Sequence, residues 1–164
     1  MKLIGVIGGQ KPEDEYLALA EEVGYLIAKR GAALICGGLT GVMEAACRGA
    51  KRGGGLTIGV IPTVRKADAN PFVDVVIATG MGTARNVIIV RTADALIAID
   101  GSFGTLSEIS HAFEQGRTVV SLGSWEMGKI GVPPEMYEVA RNPEEAVEMA
   151  MKIADNPGDS SLPF

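Results

Sequence analysis

Aromatic side chains are scarce in this chain, at 5% of its 164 residues. A platform for stacking nucleobases needs several of them on one surface, so single-strand nucleic acid binding is not the expected main activity. Basic clusters are missing too. The formal charge is −5 and no lysine- and arginine-rich stretch dominates, which leaves no electrostatic footprint for a nucleic acid backbone. The basic run from Arg48 to Arg52 is short and reads as a solvated helix end. Two cysteines occur, Cys36 and Cys47, without a CxxC pair. They read as reduced thiols of a reducing compartment. No group of His, Cys, Asp or Glu has metal-ligand spacing, so no metal site and no required cofactor is expected. No apolar run approaches the length of a membrane span, and the opening one, Leu3 to Ile7, is too short for a signal peptide. The expected setting is the cytoplasm, with neither membrane nor nucleic acid as partner.

Small and aliphatic residues are plentiful. The chain is 47% hydrophobic and holds 22 glycines, a profile that suits strands covered on both faces. Its length fits one core, expected over residues 1–155, with 156–164 as a flexible tail. Apolar runs at Leu3–Ile7, Ala32–Cys36, Thr57–Ile61, Val73–Ala78, Ala95–Ile99 and Thr118–Leu122 read as strands, with Tyr137–Ala140 as a short edge strand. Between them, helical spacing appears from Pro12 to Arg30, Gly41 to Arg52 and Thr105 to Gln115, and again after the capping signature Asn142-Pro-Glu-Glu145. Val87-Ile-Ile-Val90 has strand propensity. A parallel neighbour nevertheless demands a crossover there, so residues 83–92 are read as a helix. The alternation predicts a Rossmann-like, doubly wound α/β fold: a mostly parallel sheet of six or seven strands with helices on both faces.

In such sheets ligands bind at the carboxyl ends of the strands. Glycines cluster there: Gly8-Gly9, Gly37-Gly38 and Asp100-Gly101 each follow a strand. The segment Gly101-Ser-Phe-Gly-Thr-Leu-Ser-Glu108 runs from a strand into a helix, where free backbone N–H groups meet the positive end of the helix dipole and favour phosphate. Gly101, Ser102, Phe103, Gly104 and Thr105 are its candidate donors. Thr105 and Glu108 also match a capping box, with Thr105 as N-cap, so local spacing supports a structural and a ligand-facing role equally. The turn Cys36-Gly-Gly-Leu-Thr-Gly41 offers Gly37, Gly38, Thr40 and Gly41 to a second phosphate contact, against a packing role for the same glycines. It lacks both the GxGxxG spacing and the lysine of a P-loop. Arg85 opens the 83–92 helix, where a cation opposes the dipole; that misfit points to a ligand or to a carboxylate such as Glu108. His111 reads as packed or surface, and Asp94 as a turn residue.

Gly37-Gly-Leu-Thr-Gly-Val-Met43, Arg85 and Gly101-Ser-Phe-Gly-Thr-Leu-Ser-Glu108, in this order, resemble the LOG-type Rossmann superfamily, long mislabelled as lysine decarboxylases. Its hydrolase members cleave cytokinin nucleoside monophosphates, or AMP, to a free base and ribose 5-phosphate. The chain also looks like the shorter branch that includes molybdenum cofactor carrier proteins. The resemblance implies catalytic roles for Glu108 and Arg85, a bound phosphorylated small molecule with molybdenum cofactor as a carried ligand, and a homodimer or higher homo-oligomer. Pairing is expected through the apolar residues of 83–92 and 105–115: Val87, Ile88, Ile89, Val90, Leu106, Ile109 and Phe113. The chain departs from the hydrolase pattern at three places. Asp100 and Ser102 replace a proline and a glycine of PGGxGTxxE, Asn86 replaces the lysine after the arginine, and Leu39 replaces the third glycine of GGGxxGxM.

Overall fold

Seven parallel strands form one sheet in the order β4-β3-β2-β1-β5-β6-β7 in the computed structural model, which describes residues 1–156. The strands are β1 (Leu3–Gly8), β2 (Ala33–Cys36), β3 (Thr57–Ile61), β4 (Val75–Ala78), β5 (Ala95–Ile99), β6 (Val119–Leu122) and β7 (Tyr137–Val139). Five helices accompany them: α1 (Asp14–Lys29), α2 (Val42–Arg52), α3 (Asn86–Thr92), α4 (Phe103–Glu114) and α5 (Pro143–Asp155). This is the Rossmann-like α/β fold expected from the sequence. The expected tail lies outside the described residues except for Asn156.

Both faces of the central strands are buried, which is why they read as unbroken apolar runs. Ile4, Val6, Leu34, Ile97 and Ile99 meet α1, α2 and α5, while Ile7, Ile35, Leu96 and Ala98 meet α3 and α4. Each such isoleucine or leucine withdrawn from water contributes about 1.5–3 kcal/mol before chain entropy is set against it. α1 and α2 touch backbone to backbone. A Cβ at Gly49 would stand 1.8 Å from the Glu21 carbonyl oxygen, and one at Gly24 1.9 Å from that of Ala46. Only glycine permits that contact.

β1 pairs with β2 on one side and β5 on the other. The chain builds outward from β1 to β4, then returns through α3 to β5 and builds the other way. The strand order therefore reverses at β1/β5, and a crevice opens above their carboxyl ends. One connection departs from the pattern. Residues 62–74, between β3 and β4, hold only a 3-10 turn, Lys66–Asp68, and no helix among the described residues covers the α3/α4 face of β4. Val75 and Ile77, in register with Ile58 and Val60 on that face, are 45% and 43% exposed.

α1 and α2 begin at Asp14 and Val42, two residues and one residue later than read from the sequence, and two further helix starts differ in ways that bear on the site. Residues 83–92 divide into a 3-10 turn, Gly82–Arg85, and α3. α4 begins at Phe103, two residues before the expected Thr105, with Ser102 as its N-cap. Serine and threonine are comparable caps. Taking Ser102 adds two residues to the helix and lets Thr105 close the box from the third position.

Candidate ligand site at the strand ends

The crevice at the reversal point is a cavity of about 60 Å³, enough for a phosphate-sized group. β1 brings Ile7 and Gly8 to it, the β2–α2 turn brings Gly37 and Met43, and α4 brings Ser102, Gly104, Thr105 and Glu108. Arg85 and Asn86 close it at the start of α3. Seven residues expected at the site thus meet there: Gly8, Gly37, Arg85, Ser102, Gly104, Thr105 and Glu108.

The α4 end of the crevice is a helix N-terminus with its cap in place. The Thr105 N–H donates to Ser102 Oγ at 3.3 Å, and the Ser102 N–H donates to Thr105 Oγ1 at 3.3 Å. The amides of Phe103 and Gly104, in the first turn, have no intrahelical acceptor and carry the positive end of the dipole. Because Ser102 and Thr105 form the box, Glu108 is not a capping residue, contrary to the pairing read from the sequence. It lies three positions beyond Thr105, the cap partner, and is buried, 6% exposed.

Arg85 faces Glu108 across the crevice, with Nη1 4.0 Å from Glu108 Oε1. That separation is too long for a hydrogen bond. Nη2 donates to the Gly37 carbonyl at 3.4 Å, and Nη1 donates to Asn86 Oδ1. Arg85 Nε is buried and has no partner among the described residues. Burial dominates the electrostatics of both groups. It pushes the Glu108 carboxyl up to about 8; the Arg85 charge partly opposes the shift and Cys36 adds to it. Burial also draws the Arg85 guanidinium below its usual value, with Glu108 and Cys36 acting in the opposite direction. At neutral pH Glu108 therefore largely keeps its proton, and Arg85 supplies the positive charge of the crevice.

The other expected residues lie outside the lining. Gly38, at φ +73°, packs on β3: a Cβ there would stand 2.6 Å from Ile61 Cγ2. Gly41, at φ +72°, presses on the β1–α1 turn, 2.4 Å in the same sense from the Gly9 carbonyl oxygen. That oxygen accepts from the Val42 N–H at 3.0 Å. Gly9 backs onto the Asp100 carboxylate, Gly101 onto the Trp125 indole, and Thr40 and Phe103 face solvent. Gly41 does line a neighbouring cavity of about 330 Å³ with Lys11, Glu44 and Arg48, and Gln10 borders both spaces. His111 pairs with Glu114 at 3.3 Å, and Asp94 accepts from the Leu3 N–H at 2.7 Å.

Met43 is the methionine of the GGGxxGxM-like turn but was not assigned to the site, and Gln10 carries no spacing signal. Cys36 looks inert in sequence, yet it lies under the crevice, with its Sγ 3.5 Å from that of Cys47 and accepting from the Gly38 N–H. The Cys47 thiol stabilises the Cys36 thiolate, so Cys36 is the easier of the two to ionise. Its position at the end of β2, one residue before a lining glycine, was the available signal.

The SLOG cluster4 family profile matches residues 1–155. An uncharacterised protein of Archaeoglobus fulgidus is 50% identical over 150 residues, which cover 90% of this chain and 94% of that one. A cytokinin riboside 5'-monophosphate phosphoribohydrolase of Mycobacterium tuberculosis is 39% identical over 105 residues, covering 62% of this chain and 56% of the relative. The match thus spans little more than half of that enzyme. The solved molybdenum cofactor carrier protein of Chlamydomonas reinhardtii superposes with a TM-score of 0.87 at 31% identity, over 95% of this chain and all of the other.

Proposed function

This chain belongs to the SLOG cluster4 family, and from that premise we propose that it binds a phosphorylated, nucleotide-like small molecule at the β1/β5 crevice, as a carrier of the molybdenum cofactor type. The unpartnered Arg85 Nε carries this reading. A buried guanidinium donor left without an acceptor costs free energy, and a phosphate oxygen satisfies it. The α4 amides hold the other oxygens. The remainder of the ligand extends over Gln10 into the larger cavity, where Lys11 and Arg48 meet further anionic groups. The free, buried thiol pair supports a cytoplasmic setting.

The alternative is N-glycosidic hydrolysis of a nucleoside monophosphate, favoured by the Arg85–Glu108 pair and by the Mycobacterium tuberculosis relative. There Glu108 would orient water and stabilise ribosyl cation character. Two observations favour binding without turnover. Those roles need the carboxylate, and Glu108 holds its proton to about pH 8; a bound phosphate would raise it further. Asp100 sits at φ +56°, a conformation open to aspartate but closed to the proline of the hydrolase pattern, so this turn leaves β5 by another path. Incubation with AMP, with free adenine measured by chromatography, tests the choice. No adenine at pH 7 or 9 supports the carrier. Adenine released by the parent but not by Glu108→Gln establishes the hydrolase.

We further propose that a second copy of the chain covers the open face of β4. Ile89, Val90 and Ile109 are fully buried against the sheet, which corrects their assignment to a partner. Val87, Ile88, Leu106 and Phe113 are only half-buried, and Val75 and Ile77 extend the apolar surface. Light scattering at micromolar concentration tests it: a dimer mass for the parent and a monomer for Ile77→Asp are expected, and a monomeric parent refutes it.

A further inference from the structure

A third cavity, apolar and of about 420 Å³, lies along β6 and β7 under the segment that joins them, beyond the Gly101–Phe103 turn from the crevice. Met127, Val132 and Pro134 supply carbon surface, and Trp125 forms a wall. Trp125 is held in place. Its Nε1–H donates to the Ser102 carbonyl at 3.3 Å, and its ring stacks on Phe103 with centroids 6.5 Å apart. The charges at this cavity, Glu126 and Lys129, pair with each other, so its interior is neutral.

Two of its residues carry a buried hydroxyl with no hydrogen-bond partner among the described residues, Ser124 Oγ and Tyr137 Oη. Each such group costs stability unless something satisfies it. A partner-free serine and a partner-free tyrosine in the wall of one cavity are unusual in a native structure. Both lie just beneath the lining. For its hydroxyl to meet a ligand, Ser124 must turn about its Cα–Cβ bond and Tyr137 needs the covering segment 123–131 to shift; that segment has glycines at both ends in the left-handed region, Gly123 at φ +70° and Gly131 at φ +80°.

We propose that this cavity binds a neutral, flat aromatic heterocycle of one or two fused rings. The ring lies against the Trp125 indole, and its nitrogen or carbonyl groups exchange hydrogen bonds with the Ser124 and Tyr137 hydroxyls. The size lies within the range of small-molecule pockets, a flat wall favours a flat partner, and the absence of free charge among the lining residues selects a neutral ring. A purely aliphatic ligand would leave both hydroxyls unsatisfied. The proposal stands apart from the phosphate reading of the crevice, because neither Ser124 nor Tyr137 lines that space.

Trp125 is the only tryptophan in the chain, so its fluorescence reports this cavity directly. The full chain is titrated with adenine and with pterin, and with ribose 5-phosphate as a probe lacking an aromatic ring. A saturable change with adenine or pterin, and none with ribose 5-phosphate, is expected. Ser124→Ala and Tyr137→Phe are each expected to weaken ring binding about fivefold, one neutral hydrogen bond's worth, without lowering Tm, since neither hydroxyl has a partner to lose. No saturable change with either ring up to its solubility overturns the proposal. So does ring binding of equal strength in both variants and the parent. A calorimetric titration with ribose 5-phosphate reads the crevice separately, so failure at one site is distinguishable from failure at the other.

Discussion

The two glycine-bearing turns at the strand ends look alike in sequence and do opposite work. The β2–α2 turn is tied down: Gly38 lies against β3 and Gly41 against the β1–α1 turn, both at positive φ, and Cβ atoms there would collide. The β5–α4 turn backs onto the Trp125 indole at Gly101 but is open at its helix end. A Cβ at Gly104 would come no nearer than 3.6 Å to any neighbour, that being Ser102 Oγ, and the first-turn amides face the crevice. A glycine can serve close packing or leave backbone donors accessible, and the chain uses one turn for each. The ligand-facing chemistry gathers on the open side, with Arg85 and Glu108.

The sharpest test of that division is the pH dependence of Glu108. Its folded-state value of about 8 lies above the ordinary carboxylate value of 4.5. The folded protein therefore binds this proton more tightly than the unfolded chain. Its stabilising contribution is full below about pH 4.5 and is lost as pH rises through about 8. At 1.36 kcal/mol per unit the loss reaches about 3–5 kcal/mol. Glu108→Gln carries no such proton, so its stability relative to the parent should rise between pH 5 and pH 9 in denaturant titrations. A constant difference would mean that Glu108 is ionised in the fold, and the carrier reading would lose its main electrostatic support.

The turns themselves separate by smaller amounts. Gly38→Ala should cost about 2 kcal/mol, from the left-handed backbone and the clash with Ile61. Gly104→Ala should be neutral, or stabilising by up to about 1 kcal/mol, because alanine is the better helix former. Thermal melts that ranked the two the other way would reverse the assignment of packed and open turns. Ser102→Ala, which removes the cap, should cost about 1 kcal/mol, whereas a loss near zero would return the cap to Thr105.

Much of the scaffold was legible because buried parallel strands leave a plain signal. Thr57–Ile61 and Ala95–Ile99 have the boundaries that their apolar runs predict. Val87-Ile-Ile-Val90 is helical despite its strand propensity, since the crossover between β4 and β5 overrides local preference. The start of α4 was not legible: Ser102 and Thr105 are both good caps, and choosing between them takes the geometry of the turn. That choice also decides whether Glu108 closes a box or faces the crevice. Local spacing could not separate the two glycine turns either, because what distinguishes them is contact with β3 and β1, distant in sequence. The bare face of β4 follows from a connection without a helix, and no local pattern in that connection reveals which strand face it leaves open.

The central claim is that Arg85 and the α4 N-terminus hold a phosphate group at the point where the strand order reverses. Calorimetric titration of the parent and of Arg85→Gln with AMP, ribose 5-phosphate and molybdopterin tests it most directly. A charge-assisted hydrogen bond contributes about 1.5–3 kcal/mol. At least one of these ligands should therefore bind the parent with micromolar affinity and bind Arg85→Gln about 10- to 100-fold more weakly, with Tm unchanged or raised. Binding of equal strength to both proteins, or no binding of any of the three to the parent, would contradict it.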